Sequence, residues 1–287
     1  MPYDPDFIPM NTIPLPLLSA QTLASALNDG APIEHEKFSI VFNADRGFAI
    51  VGASNVDGAS MIEAGVIKRK GFRLDPSADR TIQVDNDRGY VNNRWDRGHL
   101  VRRRSLQWGD LDEATGADRQ SSFWTNIAPQ HETLHDTAWG DIEDFVLELT
   151  DAADRRASIF TGPVLTPDDP LHTNKPGELP IQIPAGYWKV MAIRPGGALR
   201  AAGFLVWQRD FDKPEPVVFA PFLEQVRLTT IEYLTGLSFP DILHTADPLQ
   251  FGTQTNDLVA ALGTGAPAGP QFNRSSVITA AADILLG

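Results

Sequence analysis

The chain has 287 residues, 42% hydrophobic and 21% charged, enough to bury a substantial core in one large domain or two small ones. It has no cysteine, which excludes disulfides and thiolate metal sites, and no apolar run long enough to span a bilayer. The net charge of −13 speaks against a nucleic-acid binder taken whole, yet residues 68–104 hold eleven Lys and Arg against five acids, a local +6 that leaves −19 elsewhere.

Residues 1–36 are rich in proline and small residues. Residues 19–28 predict one helix, with Gly30 as its stop, and the whole stretch reads as an N-terminal extension or an oligomer contact. The start lacks the basic segment and apolar core of a secretory leader, and with no cysteine to oxidise we expect a cytoplasmic protein with no membrane partner. Residues 38–42 alternate like a strand, 43–47 read as a turn, and 48–51 as a second strand, so a hairpin is expected. Asn55 and Asp57 read as turn formers. Lys68, Arg69, Lys70 and Arg73 then form a basic face.

The stretch from Tyr90 to Arg104 organises the rest. Asp96, Arg97, Gly98 and His99 place an acid, a phosphate-reading guanidinium, a flexible backbone position and a titratable base side by side. Arg102, Arg103 and Arg104 follow and suit a polyanion. Residues 110–122 are polar and read as a loop or surface helix, and 123–127 as a short apolar strand. Residues 136–149 predict the clearest helix, with Asp136 or Thr137 as N-cap and Trp139, Ile142, Val146 and Leu149 as its buried stripe. Residues 158–165, 183–193 and 201–207 read as core strands. Residues 222–236 read as a turn and a helix ended by Gly236. Beyond residue 240 the patterning is weak, and 263–269 reads as a flexible break.

Three blocks together, Asp96-Arg97-Gly98-His99, Thr125-Asn126-Ile127-Ala128-Pro129-Gln130, and His135 through Trp139 to Glu143, resemble the DNA/RNA non-specific endonuclease family in order and spacing. The segment 53–58, the triple arginine and the strands at 158–165 and 183–193 resemble it as well. The resemblance implies an α+β domain over residues 37–240, with a mixed, mainly antiparallel sheet, helices on its faces and a ββα-metal active-site motif; 241–287 would then be a C-terminal extension packed on or trailing the core. It implies a metal-dependent endonuclease acting on DNA and/or RNA with one divalent metal ion. His99 would activate water as general base, and Arg97 and Arg69 would neutralise the phosphate, with Lys70 and Arg73 as alternatives to Arg69. Asn126 would orient His99 or the phosphate, Glu143 would hold metal-bound waters, and Asp96 would brace the turn through backbone donors. Arg102, Arg103, Arg104, Lys70 and Arg73 would bind substrate.

One position departs from the family. His135 stands where an asparagine usually ligates the metal, so we expect His135 as ligand, with Asn126 or Asp136 as alternatives, and a preference for a transition metal such as manganese over magnesium. His131 reads as a surface loop residue, and His35, His172 and His244 have no motif context. The extensions leave room for a homodimer, and a cytoplasmic non-specific nuclease needs an inhibitor or regulatory partner. The alternative reading is a catalytically silent nucleic-acid-binding or regulatory module on a nuclease scaffold.

Overall fold

The computed structural model describes residues 1–134, 139–151, 155–208, 223–250, 276–278 and 283–286. Its elements run in the order β1 (Leu17–Leu18), α1 (Ala20–Ala24), β2 (Ile33–His35), β3 (Phe38–Asn43), β4 (Phe48–Asp57), α2 (Asn86–Gly89), β5 (Trp95–His99) and α3 (Leu111–Ser121). There follow β6 (Ile127–His131), α4 (Glu132–Leu134), α5 (Gly140–Asp151), β7 (Arg156–Val164), β8 (Leu171–His172), β9 (Ile181–Gln182), β10 (Gly186–Ile193) and β11 (Arg200–Trp207). The chain closes with β12 (Leu223–Val226), α6 (Leu228–Thr235), β13 (Leu237–Ser238), α7 (Asp241–Ala246) and β14 (Ser276–Ile278).

Among the described residues the central sheet has eight strands, in the order β14-β12-β11-β10-β7-β4-β3-β2. Its strands read as apolar runs because both faces are covered. In β10, Tyr187 and Met191 point into one core, with Phe42, Val56 and Phe204. Trp188 and Val190 point into the other, with Val41, Ile50 and Phe160. This is the period-two alternation of a strand, with both phases apolar. The expected α+β class and mainly antiparallel sheet hold. All its ladders are antiparallel, and among the described residues parallel pairing is confined to the bridge between Arg73 and Phe123. Among the described residues no helix is long and apolar enough to cross a membrane.

The expected hairpin forms from β3 and β4. Its turn is fixed by the Asn43 side chain, which accepts from the amides of Asp45 and Arg46, and by Gly47 at φ +74°. The second strand runs further than its alternation suggested, to Asp57. Asn55 is therefore a buried strand residue, not a turn former, and its amide grips the backbone of Asp4. Asp57 caps the short 3-10 turn Gly58–Ser60.

Residues 1–36 do not stand apart from the core. Tyr3, Ile8 and Ile13 are buried against the sheet, β2 is its edge strand, and β1 pairs with β13. The helix expected over 19–28 is capped by Ser19 but stops at Ser25. Asn28 and Asp29 adopt left-handed backbone angles, φ 54° and 53°, which short polar side chains tolerate and an α-helix does not. Residues 110–122 hold the helix α3, capped by the Asp110 side chain. Gly236 ends α6 at φ 68°, as its position suggested. The flexible break at 263–269 lies outside the described residues.

Candidate functional site

The Asp96–His99 tetrad lies on a strand and not in a turn. β5 pairs antiparallel with β6, setting Trp95 opposite His131, Arg97 opposite Pro129 and His99 opposite Ile127. Gly98 is required by contact, not by a backbone angle: a Cβ there would sit 2.1 Å from the Gln130 side chain. β6 is tied to the central sheet at the carbonyl of Pro129, which accepts from Tyr187 Oη at 2.6 Å and Gln208 Nε2 at 3.0 Å. His131, expected on the surface, is buried in β6. Its backbone N–H donates to Gln208, and burial, then the charge of Arg94, pushes its pKa down.

Asn126 corrects another expectation. Its amide is wholly buried and is used on backbone, accepting from Val101 N–H and donating to the carbonyls of Val101 and Ser121. Its own carbonyl accepts from Leu100 N–H. It therefore holds the two residues after His99, and reaches that side chain only through the backbone. Its Oδ1 is engaged by the Val101 N–H and both its amide protons by backbone carbonyls. Asp96 likewise does not brace a turn: among the described residues no hydrogen bond to its carboxylate is formed, and it lies in the strand opposite Gln130.

Phe72 is the residue that gathers the site. The guanidinium carbon of Arg69 lies 5.3 Å from its ring centroid, that of Arg97 lies 5.8 Å away, and the His99 ring lies 5.5 Å away. Behind it Phe72 stacks on Trp124 at 5.3 Å, and Trp124 on Tyr90 at 5.6 Å. The column gives two cations and an imidazole one common support. Arg97 is further fixed by Asn86 Oδ1, which accepts from both its Nε and Nη2.

The loop carrying Arg69 and Phe72 is anchored at Asp75, which is buried. Thr125 Oγ1 donates to Asp75 Oδ2 at 2.6 Å, and His35 Nε2 lies 3.2 Å from the same oxygen. Burial alone would raise the Asp75 carboxyl. The contacts from His35 and Thr125 outweigh it and hold the carboxyl below its ordinary value. Of the three cations offered for one role, Arg69 alone reaches Phe72 by the contacts above. Arg73 turns back to the carbonyl of Gly71, and Lys70 is exposed.

The triple arginine is engaged within the fold. Arg102 contacts Glu143 at 3.3 Å and Asp144 at 2.7 Å. Arg103 pairs with the buried Asp118 at 2.7 Å, and Arg104 donates to the carbonyl of Ile62 and to Gln107. Each is half-buried. The sequence shows their charge, while the acidic partners of Arg102 and Arg103 lie on other elements, α5 and α3.

Helix α5 brings Glu143 to this region on its buried side, next to Trp139, Ile142 and Val146, as the stripe predicted. The expected N-cap, Asp136 or Thr137, and the expected metal ligand, His135, lie outside the described residues. One partner of Glu143 was missed: Lys189 Nζ lies 3.2 Å from Glu143 Oε1 and 4.5 Å from the Trp139 ring centroid. Burial pushes the Lys189 ammonium pKa down, with the neighbouring Glu143 opposing. The signal available was a single charge inside the apolar run of β10, where residues 183–193 had been read as packing.

Among the described residues no group of three or more His, Cys, Asp or Glu side chains gathers to cage a metal. Glu143 is suited to hold the waters of a divalent cation. Each Glu143 oxygen meets one cation and keeps acceptor capacity for metal-bound water. A cleft of about 620 Å³ beside α1 and α6, lined by Thr22, Arg46, Thr166 and Tyr233 among others, includes none of these residues.

Known proteins relate to this chain in sequence and in fold. The DNA/RNA non-specific endonuclease family matches residues 20–246. The chain is 32% identical over 277 residues, 85% of its length, to a Sinorhizobium fredii protein known as Uncharacterized protein y4fB, and spans 40% of that protein. It is 31% identical over 180 residues to the Serratia marcescens Nuclease, covering 59% of this chain and 61% of that one. It is 29% identical over 189 residues to human mitochondrial Endonuclease G, covering 62% and 59%. The chain thus spans between 40% and 61% of the length of these relatives. The fold is shared with a crystal structure of an EndoG/EndoGI complex, at a TM-score of 0.56 and 18% identity over 72% of this chain and 84% of that one. The motif order, the β5–β6–α5 arrangement and the match over residues 20–246 place this chain in the DNA/RNA non-specific endonuclease family.

Proposed function

We propose that the chain is a divalent-metal-dependent endonuclease that hydrolyses phosphodiester bonds of DNA and/or RNA with little sequence preference. The observation that carries this reading is the convergence of Arg69, Arg97 and His99 on Phe72. Phosphodiester hydrolysis needs a base for water and positive charge for the crowded phosphate. His99 takes the proton of the attacking water on a ring nitrogen. Arg97 and Arg69 face the non-bridging oxygens with guanidinium donors. Contacts of this kind read backbone and not bases, which gives the sequence tolerance. Asn126 keeps the strand end after His99 in place through Val101 and Leu100.

A divalent cation, when bound, would supply Lewis-acid chemistry to the hydrolysis. Glu143 would hold its waters, and His135 would be its direct protein ligand in our reading, with a transition metal such as manganese preferred to magnesium. The exposed Lys68, Arg69 and Lys70 are the cations we assign to the wider nucleic-acid face in place of the triple arginine. The relative in the EndoG/EndoGI complex is held by an inhibitor; that this chain has one too is our expectation from its non-specific chemistry.

The test is plasmid nicking by the wild-type protein with added Mg²⁺ or Mn²⁺, with and without chelator. The expected result is nicking that chelator abolishes. Binding of plasmid without nicking under either metal would reject the enzyme and leave a nucleic-acid-binding module.

A further inference from the structure

Lys189 is the one charge in the strand Gly186–Ile193, and it is 3% exposed. It sits mid-sheet, opposite Thr161 of β7 and Phe204 of β11. Burying an ammonium and a carboxylate seldom stabilises a fold relative to apolar residues of the same size, because desolvation offsets their attraction. Packing therefore gives no reason for lysine where methionine would fit. The reason lies in what it touches. Lys189 Nζ holds Glu143 Oε1 at 3.2 Å while Arg102, three residues after His99, holds Oε2 at 3.3 Å. Trp139 covers the ammonium, its ring centroid 4.5 Å away. The carboxylate is thus fixed between the rigid centre of the sheet and the segment that carries His99.

We infer that Lys189 is a positioning residue for Glu143, setting its carboxylate toward the waters of the divalent cation. The inference rests on the nuclease reading above and assigns Lys189 no contact with substrate. A partner of this kind fixes the orientation of a metal-site carboxylate, and losing one typically costs about 10- to 100-fold in metal affinity or activity.

The experiment compares wild type, Lys189→Met, Lys189→Arg, Glu143→Gln and Lys189→Met/Glu143→Gln. Mn²⁺ affinity is read from the paramagnetic resonance of the free ion, and kcat and KM from nicking at saturating metal. Lys189→Met should raise the Mn²⁺ Kd and lower kcat by about 10- to 100-fold, with KM for DNA nearly unchanged. Lys189→Arg should recover part of both. The double variant should resemble Glu143→Gln, since the lysine acts only through the carboxylate. Wild-type Mn²⁺ affinity and kcat in a folded Lys189→Met overturns the inference, as does a double variant whose losses multiply. If Lys189→Met does not fold, wild-type protein with isotope-labelled lysine decides. The Lys189 methylene signal, displaced by the Trp139 ring, should move when Mg²⁺ is added, and a signal unmoved at saturating Mg²⁺ overturns the inference. Wild-type protein that nicks under no metal rejects the nuclease reading itself, while the Mn²⁺ measurement still decides on Lys189.

Discussion

Gly98→Ala adds one methyl group one residue before His99. The backbone there is an ordinary strand, so the cost comes from space alone. The new Cβ would stand 2.1 Å from Gln130 Cδ, 2.2 Å from Oε1 and 2.4 Å from Cγ, where carbon atoms prefer about 3.5–4.0 Å. Gln130 is 0% exposed, so it has no solvent to swing into. Overpacking of this kind costs about 1–3 kcal/mol, and for a domain this large each kcal/mol lowers Tm by about 2–4 °C. We therefore expect a Tm lower by about 2–12 °C. Parting β5 from β6 would relieve the collision next to His99, and a displacement of about 1 Å there costs nicking about 100-fold. Thermal unfolding by circular dichroism and plasmid nicking read the two effects. Gly98→Ala/Gln130→Ala should lose less than the sum of its single variants, because the collision is gone. A Gly98→Ala protein with wild-type Tm and nicking, or strictly additive variants, would refute the reasoning.

Four further outcomes follow. Phe72→Ala should lower nicking more than tenfold at modest cost in stability, since Arg69, Arg97 and His99 lose their shared support; wild-type nicking in a folded variant counts against the platform. Arg103→Ala should cost about 1–3 kcal/mol by leaving the buried Asp118 carboxylate with Gln107 but without its cation, without changing the salt slope of DNA binding, whereas Lys68→Ala/Arg69→Ala/Lys70→Ala should reduce that slope; titrations at several salt concentrations separate the two. Asp75 has a lowered folded pKa, so its stabilisation is complete above the ordinary value of 3.8 and fades as pH falls through the lower folded value. The stability gap between wild type and Asp75→Asn should thus narrow below pH 3.8, and denaturant unfolding across that range checks the sign. His135→Asn should move the metal preference from manganese toward magnesium, and an unchanged ratio of the two rates would remove His135 as ligand.

Periodicity and turn chemistry were legible at several places where the deciding contacts are local. The β3–β4 turn, the stripe of α5 and the Gly236 cap all follow from residues within a few positions of one another. The tetrad at Asp96–His99 was legible as chemistry but not as a strand, because its pairing partner, β6, lies about thirty residues on. Charge alone did not show that Arg102 and Arg103 face acids on α5 and α3. Lys189 and Phe72 were hidden for the same reason. Each acts across elements far apart in the chain, and one sequence carries no mark of that proximity. The direct metal ligand proposed at His135 rests on sequence alone.

The central claim is that His99 is the base of a hydrolytic site. Single-turnover nicking of plasmid by His99→Ala, with Mn²⁺ present and the fold verified by circular dichroism, tests it most directly. A rate about 100- to 10,000-fold below wild type, with plasmid still bound, is the predicted result. A folded His99→Ala protein that nicks at the wild-type rate would contradict it.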